Sequence, residues 1–78
     1  MKKLHLILKH FWYYMVETGK KTVEYRRNTT FWKRRILEVK PQIVIFHKGY
    51  SKETMTFGIS EIKVNNDEIE IHLGSRLN

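Results

Sequence analysis

Met55-Thr56-Phe57-Gly58-Ile59-Ser60-Glu61-Ile62-Lys63-Val64 is the stretch on which the fold turns. Its apolar residues alternate, as those of a half-buried strand do, but they change phase part-way. Met55, Phe57 and Ile59 hold odd positions, whereas Ile62 and Val64 hold even ones. A strand keeps its apolar set on one face only while the period of two is unbroken. One extra residue restores the face after the switch, so a bulge or sharp bend is expected near Ser60 or Glu61. Downstream, Asn65-Asn66-Asp67 reads as a hairpin turn. Ile69, Ile71 and Leu73 then carry the returning strand, with Glu68, Glu70 and His72 pointing outward.

Upstream, Ile43 to Phe46 is apolar at consecutive positions, which predicts a strand buried on both faces. His47-Lys48-Gly49-Tyr50-Ser51 is the loop that follows it. Before Pro41, which ends a helix, Trp32, Ile36 and Val39 recur at helical spacing, and Asn28-Thr29-Thr30 supplies cap residues. Thr22 to Arg26 is a strand, with Val23 and Tyr25 on one face and Thr22, Glu24 and Arg26 on the other. Lys9 to Thr18 is a helix whose predicted inner face is Phe11, Trp12, Met15 and Val16, leaving Lys9, Tyr13 and Glu17 outside. Gly19 sits where such a helix stops. At the start, Leu4, Leu6 and Leu8 alternate with His5 and Ile7 as one more strand.

The order is β-α-β-α-β-β-β, an α+β fold. Five strands in 78 residues, one of them strongly bent, are best buried by curling into a small mixed barrel, which also removes sheet edges. A chain of this length forms one domain and buries only about 60% of its unfolded surface, so a surface groove is expected rather than an enclosed active site. There is no cysteine, which excludes disulfides, a thiolate nucleophile and cysteine zinc sites. No apolar run is long enough to span a bilayer. Met1-Lys2-Lys3 before Leu4 to Leu8 makes a poor signal peptide, because His5, Lys9 and His10 interrupt its apolar region. The expectation is a soluble, cytoplasmic protein with no membrane partner.

The net charge of +7 is unevenly spread. Residues 1 to 40 hold eleven Lys or Arg against three acids; residues 41 to 78 hold four against five. A basic half-molecule attracts polyanions by counterion release and long-range steering. The plain alternative is a protein that is basic for no specific reason.

Gly19-Lys20-Lys21-Thr22-Val23-Glu24-Tyr25-Arg26 is the densest polar segment beside apolar structure. Glu24 and Arg26 share a strand face. Turned into a barrel, they would cost several kcal/mol per ion unless paired. Lining a groove, Arg26 offers a planar fork for phosphate or a base edge, and Glu24 can accept from an exocyclic amine or orient Lys21 or Arg26. An ordinary exposed Glu24–Arg26 pair, worth little, is the plainer interpretation.

Gly19-x-Lys21-x-x-Glu24-x-Arg26 resembles the Gly-x-Lys-x-x-Glu-x-Arg signature of ASCH domains at every defined position. The surroundings agree: a Leu-x-Leu strand and an aromatic-led helix before it, then Trp32 in a basic helix, an apolar strand, Gly49-Tyr50, and a closing Ile71, Leu73 and Gly74. The likeness runs from about Leu4 to Gly74 and is to the compact members often carried by phages and prophages. It implies a PUA-like barrel, a cleft beside the first helix where Lys21, Glu24 and Arg26 gather, and RNA binding. Some relatives are amidohydrolases on acylated cytidine and others are reported to cut single-stranded RNA. The amidohydrolase pattern uses the motif lysine, a threonine where this chain has Glu24, and a glutamate on a later strand, for which Glu61, Glu68 and Glu70 are all available.

Other residues complete the expected site. Arg27, Lys33 and Arg34 are phosphate contacts. Tyr13 and Tyr50, at outward or loop positions, are the aromatics expected to stack bases, while Trp12 and Trp32 lie on predicted core stripes. The histidines at 5, 10, 47 and 72 show no ligand spacing, so no metal and no cofactor is expected. The reading is a binding module for RNA, other single-stranded nucleic acid or a modified nucleoside, monomeric or weakly dimeric, with contacts from Lys21, Glu24, Arg26, Arg27, Tyr13, Lys33, Arg34 and Tyr50. One alternative is a hydrolase in which Lys21 and Glu24 are catalytic. The other is a phage-encoded domain that binds a host protein.

Overall fold

A computed structural model describes residues 1–78. Its elements are β1 (Lys3–Leu8), α1 (His10–Glu17), β2 (Val23–Arg27), α2 (Thr30–Trp32) continuing as a π-helix (Lys33–Glu38), β3 (Ile43–Lys48), β4 (Thr54–Val64) and β5 (Glu68–Arg76). The five strands form one mixed sheet in the order β1-β3-β4-β5-β2. β1 and β3 are parallel, and every other pair is antiparallel. This is a small α+β protein built on a curled sheet with two short helical segments. No helix is long and apolar enough to cross a membrane.

The bend falls where the phase switch put it. Ile59 pairs with Leu73 and Glu61 with His72, so Ser60 is the extra residue on β4. Its hydroxyl donates to the His72 carbonyl at 3.1 Å, which ties the bulge to the neighbouring strand. Met55 and Phe57 before the bulge are buried. Ile59 and, beyond the bulge, Ile62 pack against the same core. A second register shift between Phe57 and Ile59 adds to the curl. At the hairpin, Asn65 Oδ1 accepts from the Asp67 and Glu68 amides at 2.9 and 2.8 Å, the local bond that makes Asn a turn residue.

Three expectations are corrected. The sheet is a half-barrel, because β1 and β2 are its two edges and do not pair. Strand β3 is not buried on both faces: Val44 and Phe46 are wholly inside, while Ile43 and Ile45 are half-exposed. Both helical segments put side chains into the one core, through Tyr13, Val16 and Ile36. Helix α1 is rotated from its predicted phase. Tyr13 and Val16 are buried, whereas Phe11, Trp12 and Tyr14 are exposed. Phe11 to Val16 is apolar or aromatic at every position, so periodicity had no contrast from which to choose a face.

The second helix departs from the α period for a different reason. The Val39 amide donates to the Arg34 carbonyl at 3.3 Å, five residues back. Across the wider π turn, Ile36 is buried, Leu37 packs against the same core, and Val39 is 39% exposed. The Thr29 side chain caps α2 by accepting from the Trp32 amide. Lys40 ends the segment at φ 55°, a conformation uncommon outside glycine, and Pro41 prevents its continuation.

Candidate functional site on the free edge of β2

Gly19, at φ 78°, reverses the chain after α1. The Lys21 amide then donates back to the Met15 carbonyl at 3.0 Å, so Lys21 lies alongside the helix it has just left. In β2, Glu24 stands opposite Ile71 and Arg26 opposite Ile69, both fully buried on β5. Directly paired antiparallel residues share a sheet face. Glu24 and Arg26 therefore face inward, the arrangement that is costly unless the charges are paired.

They are paired. The Glu24 side chain is 4% exposed. Its Oε1 accepts from Lys21 Nζ at 2.8 Å and from the Tyr25 amide at 3.0 Å, and Arg26 Nη1 lies 3.5 Å away. No protein donor reaches Oε2. Arg26 Nη1 also donates to the Tyr25 carbonyl at 2.7 Å. Both backbone groups of Tyr25 on the open side of β2 are thus taken by the side chains of its two neighbours. An edge strand with unpaired N–H and C=O groups invites pairing with another chain. The Glu-x-Arg spacing closes that edge from within its own strand.

Aromatic faces complete the cluster. Lys21 Nζ lies 4.6 Å from the centre of the Trp12 ring, and Arg26 Cζ lies 5.3 Å from that of Trp32. Both are cation–π contacts. Trp12, Lys21, Glu24, Arg26 and Trp32 therefore form one connected run across the β2 edge. Of the two tryptophans expected on core stripes, Trp32 is half-buried and packs against the core, whereas Trp12 is 44% exposed. The available signal was that tryptophan is too large to be fully buried often.

The other expected contacts are dispersed. Tyr13, expected to face outward and stack a base, is buried, with Lys48 Nζ 5.9 Å from its ring. It is out of reach of a ligand. Burial pushes its phenol above the usual value near 10, with Glu17 acting in the same direction. Tyr50 is 95% exposed and lines a groove of about 340 Å³ with His5, Ile7, His47, Gly49 and Ser51. Arg27 lines a wholly polar groove of about 440 Å³ with Asn28, Thr29 and the Asn66–Glu68 turn. Lys33 and Arg34 are exposed on the π-helix. Neither groove includes Lys21, Glu24 or Arg26, whose cluster is closed on itself.

The three later-strand glutamates lie away from Glu24. Glu61 pairs with His72, Glu68 with Arg27 and Glu70 with Tyr25, all on the face opposite the buried Ile69 and Ile71. Two histidines prove to be neighbours, His5 Nδ1 lying 2.9 Å from His47 Nε2. No group of three metal-ligating side chains gathers anywhere in the chain. No family model and no curated protein matches this sequence.

Proposed function

We propose that the chain is a nucleic-acid binding module of ASCH type, with a PUA-like fold, working on RNA in the cytoplasm, and that it grips its ligand along the β2 edge. The observation that carries this reading is the run from Trp12 through Lys21, Glu24 and Arg26 to Trp32. There two cations are held against indole faces by one buried carboxylate. Cations and aromatic planes side by side are what phosphate and an unpaired base require. The charge agrees: of fifteen Lys and Arg, only Lys21, Arg26 and Lys48 pair with a carboxylate, so the rest are free for phosphate. A modified nucleobase seated inside the cluster would have to displace Arg26 from the Tyr25 carbonyl, and Glu24 Oε2 is the acceptor left for its amine. With Glu61, Glu68 and Glu70 on the other face, binding is favoured over hydrolysis.

The closed cluster supports one competing reading, a phage-encoded domain that docks an acidic host protein on its basic face. Fluorescence anisotropy with labelled single-stranded RNA separates the two. Binding that weakens steeply with salt, and falls much more for Arg26→Ala than for Lys33→Ala, is the expected result. Absence of RNA binding at low salt, together with a stoichiometric protein partner that survives nuclease treatment, would replace it.

A further inference from the structure

Resting on that reading, we infer that the ligand is a single strand of nucleic acid carried on two aromatic dyads, Phe11–Trp12 of α1 and Phe31–Trp32 of α2, one at each end of the Glu24 cluster. The cluster has no cavity to receive a base, so bases can be met only by rings that face solvent. Phe11 is 60% exposed, Phe31 55% and Trp12 44%. Within each dyad the two rings pack edge to face, with centroids 4.9 Å apart and planes inclined at 75° and 88°. In such a pair the edge of one ring covers one face of the other, so ring faces remain open to solvent while each ring is fixed by its neighbour. Both platforms are therefore held in place before any ligand arrives.

The cations are placed to match. Arg35 lies 4.5 Å from the centre of the Phe31 ring, and a guanidinium plane is itself a stacking surface for a base. Lys21 and Arg26 lie between the dyads, joined through Glu24 at 2.8 and 3.5 Å. Lys9, Lys20, Lys33 and Arg34 are exposed around them, and none is within ion-pair distance of an acid. A strand crossing from one dyad to the other would meet bases at both ends and positive charge between.

A duplex does not fit this surface. It hides the faces of its bases in the stack and offers only edges and phosphates along its length. An anionic membrane also attracts aromatic and basic residues, but an interfacial helix separates them, inserting its apolar face with the cations opposite. Here cation and ring lie in contact.

The experiment compares, by anisotropy, a mononucleotide, a single strand of roughly eight nucleotides, within the range such modules cover, and the same sequence as a closed duplex. Vesicles containing anionic lipid form a fourth arm. Each is measured with wild type, Phe11→Leu, Phe31→Leu and Arg26→Ala, after circular dichroism shows all four folded. Leucine keeps the apolar bulk and removes the π-face. The expected result is preference for the single strand over both other nucleic-acid forms, and a loss of about fivefold or more for each leucine variant. Unchanged binding by both leucine variants, or a duplex bound equally well, would overturn the two-dyad path. If Arg26→Ala still weakened binding in that case, the motif reading would stand alone. No binding of wild type to any oligonucleotide removes both. Vesicle binding retained by the leucine variants, without oligonucleotide binding, reassigns the rings to a membrane surface.

Discussion

The chain contains two lysine–glutamate pairs, and their surroundings make them different devices. Lys21 and Glu24 meet at 2.8 Å with side chains 20% and 4% exposed; Lys48 and Glu53 meet at 3.5 Å with side chains 33% and 66% exposed. The second pair is solvated, screened by salt and entropically costly to hold, so its net value is at most about 1 kcal/mol. In the first, Glu24 has already lost its water, and Arg26 and the Tyr25 amide share the carboxylate with Lys21. Removing a buried partner leaves the remaining charge uncompensated, which costs more than the pair itself is worth. The same pair of residue types is therefore part of a buried charge cluster in one place and a solvated contact at the end of β3 in the other.

The largest effect that tests this contrast is Glu24→Ala, which strands Lys21 and Arg26 against each other. A loss of about 3 kcal/mol is expected, read as a lowered urea midpoint at unchanged slope. A loss no greater than that of Glu53→Ala would erase the distinction between the pairs. Arg26→Ala comes next. It removes the donor on the Tyr25 carbonyl, at a cost of about 1 to 2 kcal/mol, and reopens the β2 edge. Concentration-dependent association of this variant in sedimentation velocity, absent from wild type, would show that the side chain guards the edge.

Tyr13 sharpens the comparison from the exposed side, since Lys48 and Glu53 are its neighbours. Its folded pKa is raised chiefly by burial, with Glu17 and then Glu53 adding and Arg76 opposing. A group raised in the folded state contributes stability that is complete below its unfolded value near 10 and is lost as pH climbs through the folded value. Wild type is therefore expected to lose stability relative to Tyr13→Phe above pH 10, with no such divergence at neutral pH. The smallest effect belongs to Glu53→Ala, expected within about 0.5 kcal/mol and vanishing in molar salt; chemical denaturation in urea with and without salt measures it.

Much of this was written in the order of residues along the chain. Alternation marks a face only where polar residues interrupt it. Leu4, Leu6 and Leu8, and likewise Ile69 and Ile71, are spaced by polar neighbours or by one exposed isoleucine, and their burial follows the pattern. The broken phase between Ile59 and Ile62 located the bulge at Ser60, because a single inserted residue is the local way to keep both halves of a strand on one core. The spacing of Lys21, Glu24 and Arg26 marked the residues that do converge.

Tertiary structure decided what local pattern leaves degenerate. Six consecutive apolar or aromatic residues in α1 fit any rotation, and only docking against the sheet chose Tyr13 and Val16 over Phe11 and Trp12. The π turn that turned Val39 outward depends on how Ile36 and Leu37 meet the core, which no spacing rule states. Whether the sheet closes depends on the distance between its first and second strands, a sum of twists along five elements. The role of Glu24 depended on that outcome. In a closed barrel its carboxylate would have needed no edge to guard; beside an open one, it accepts the N–H that a missing strand would have taken.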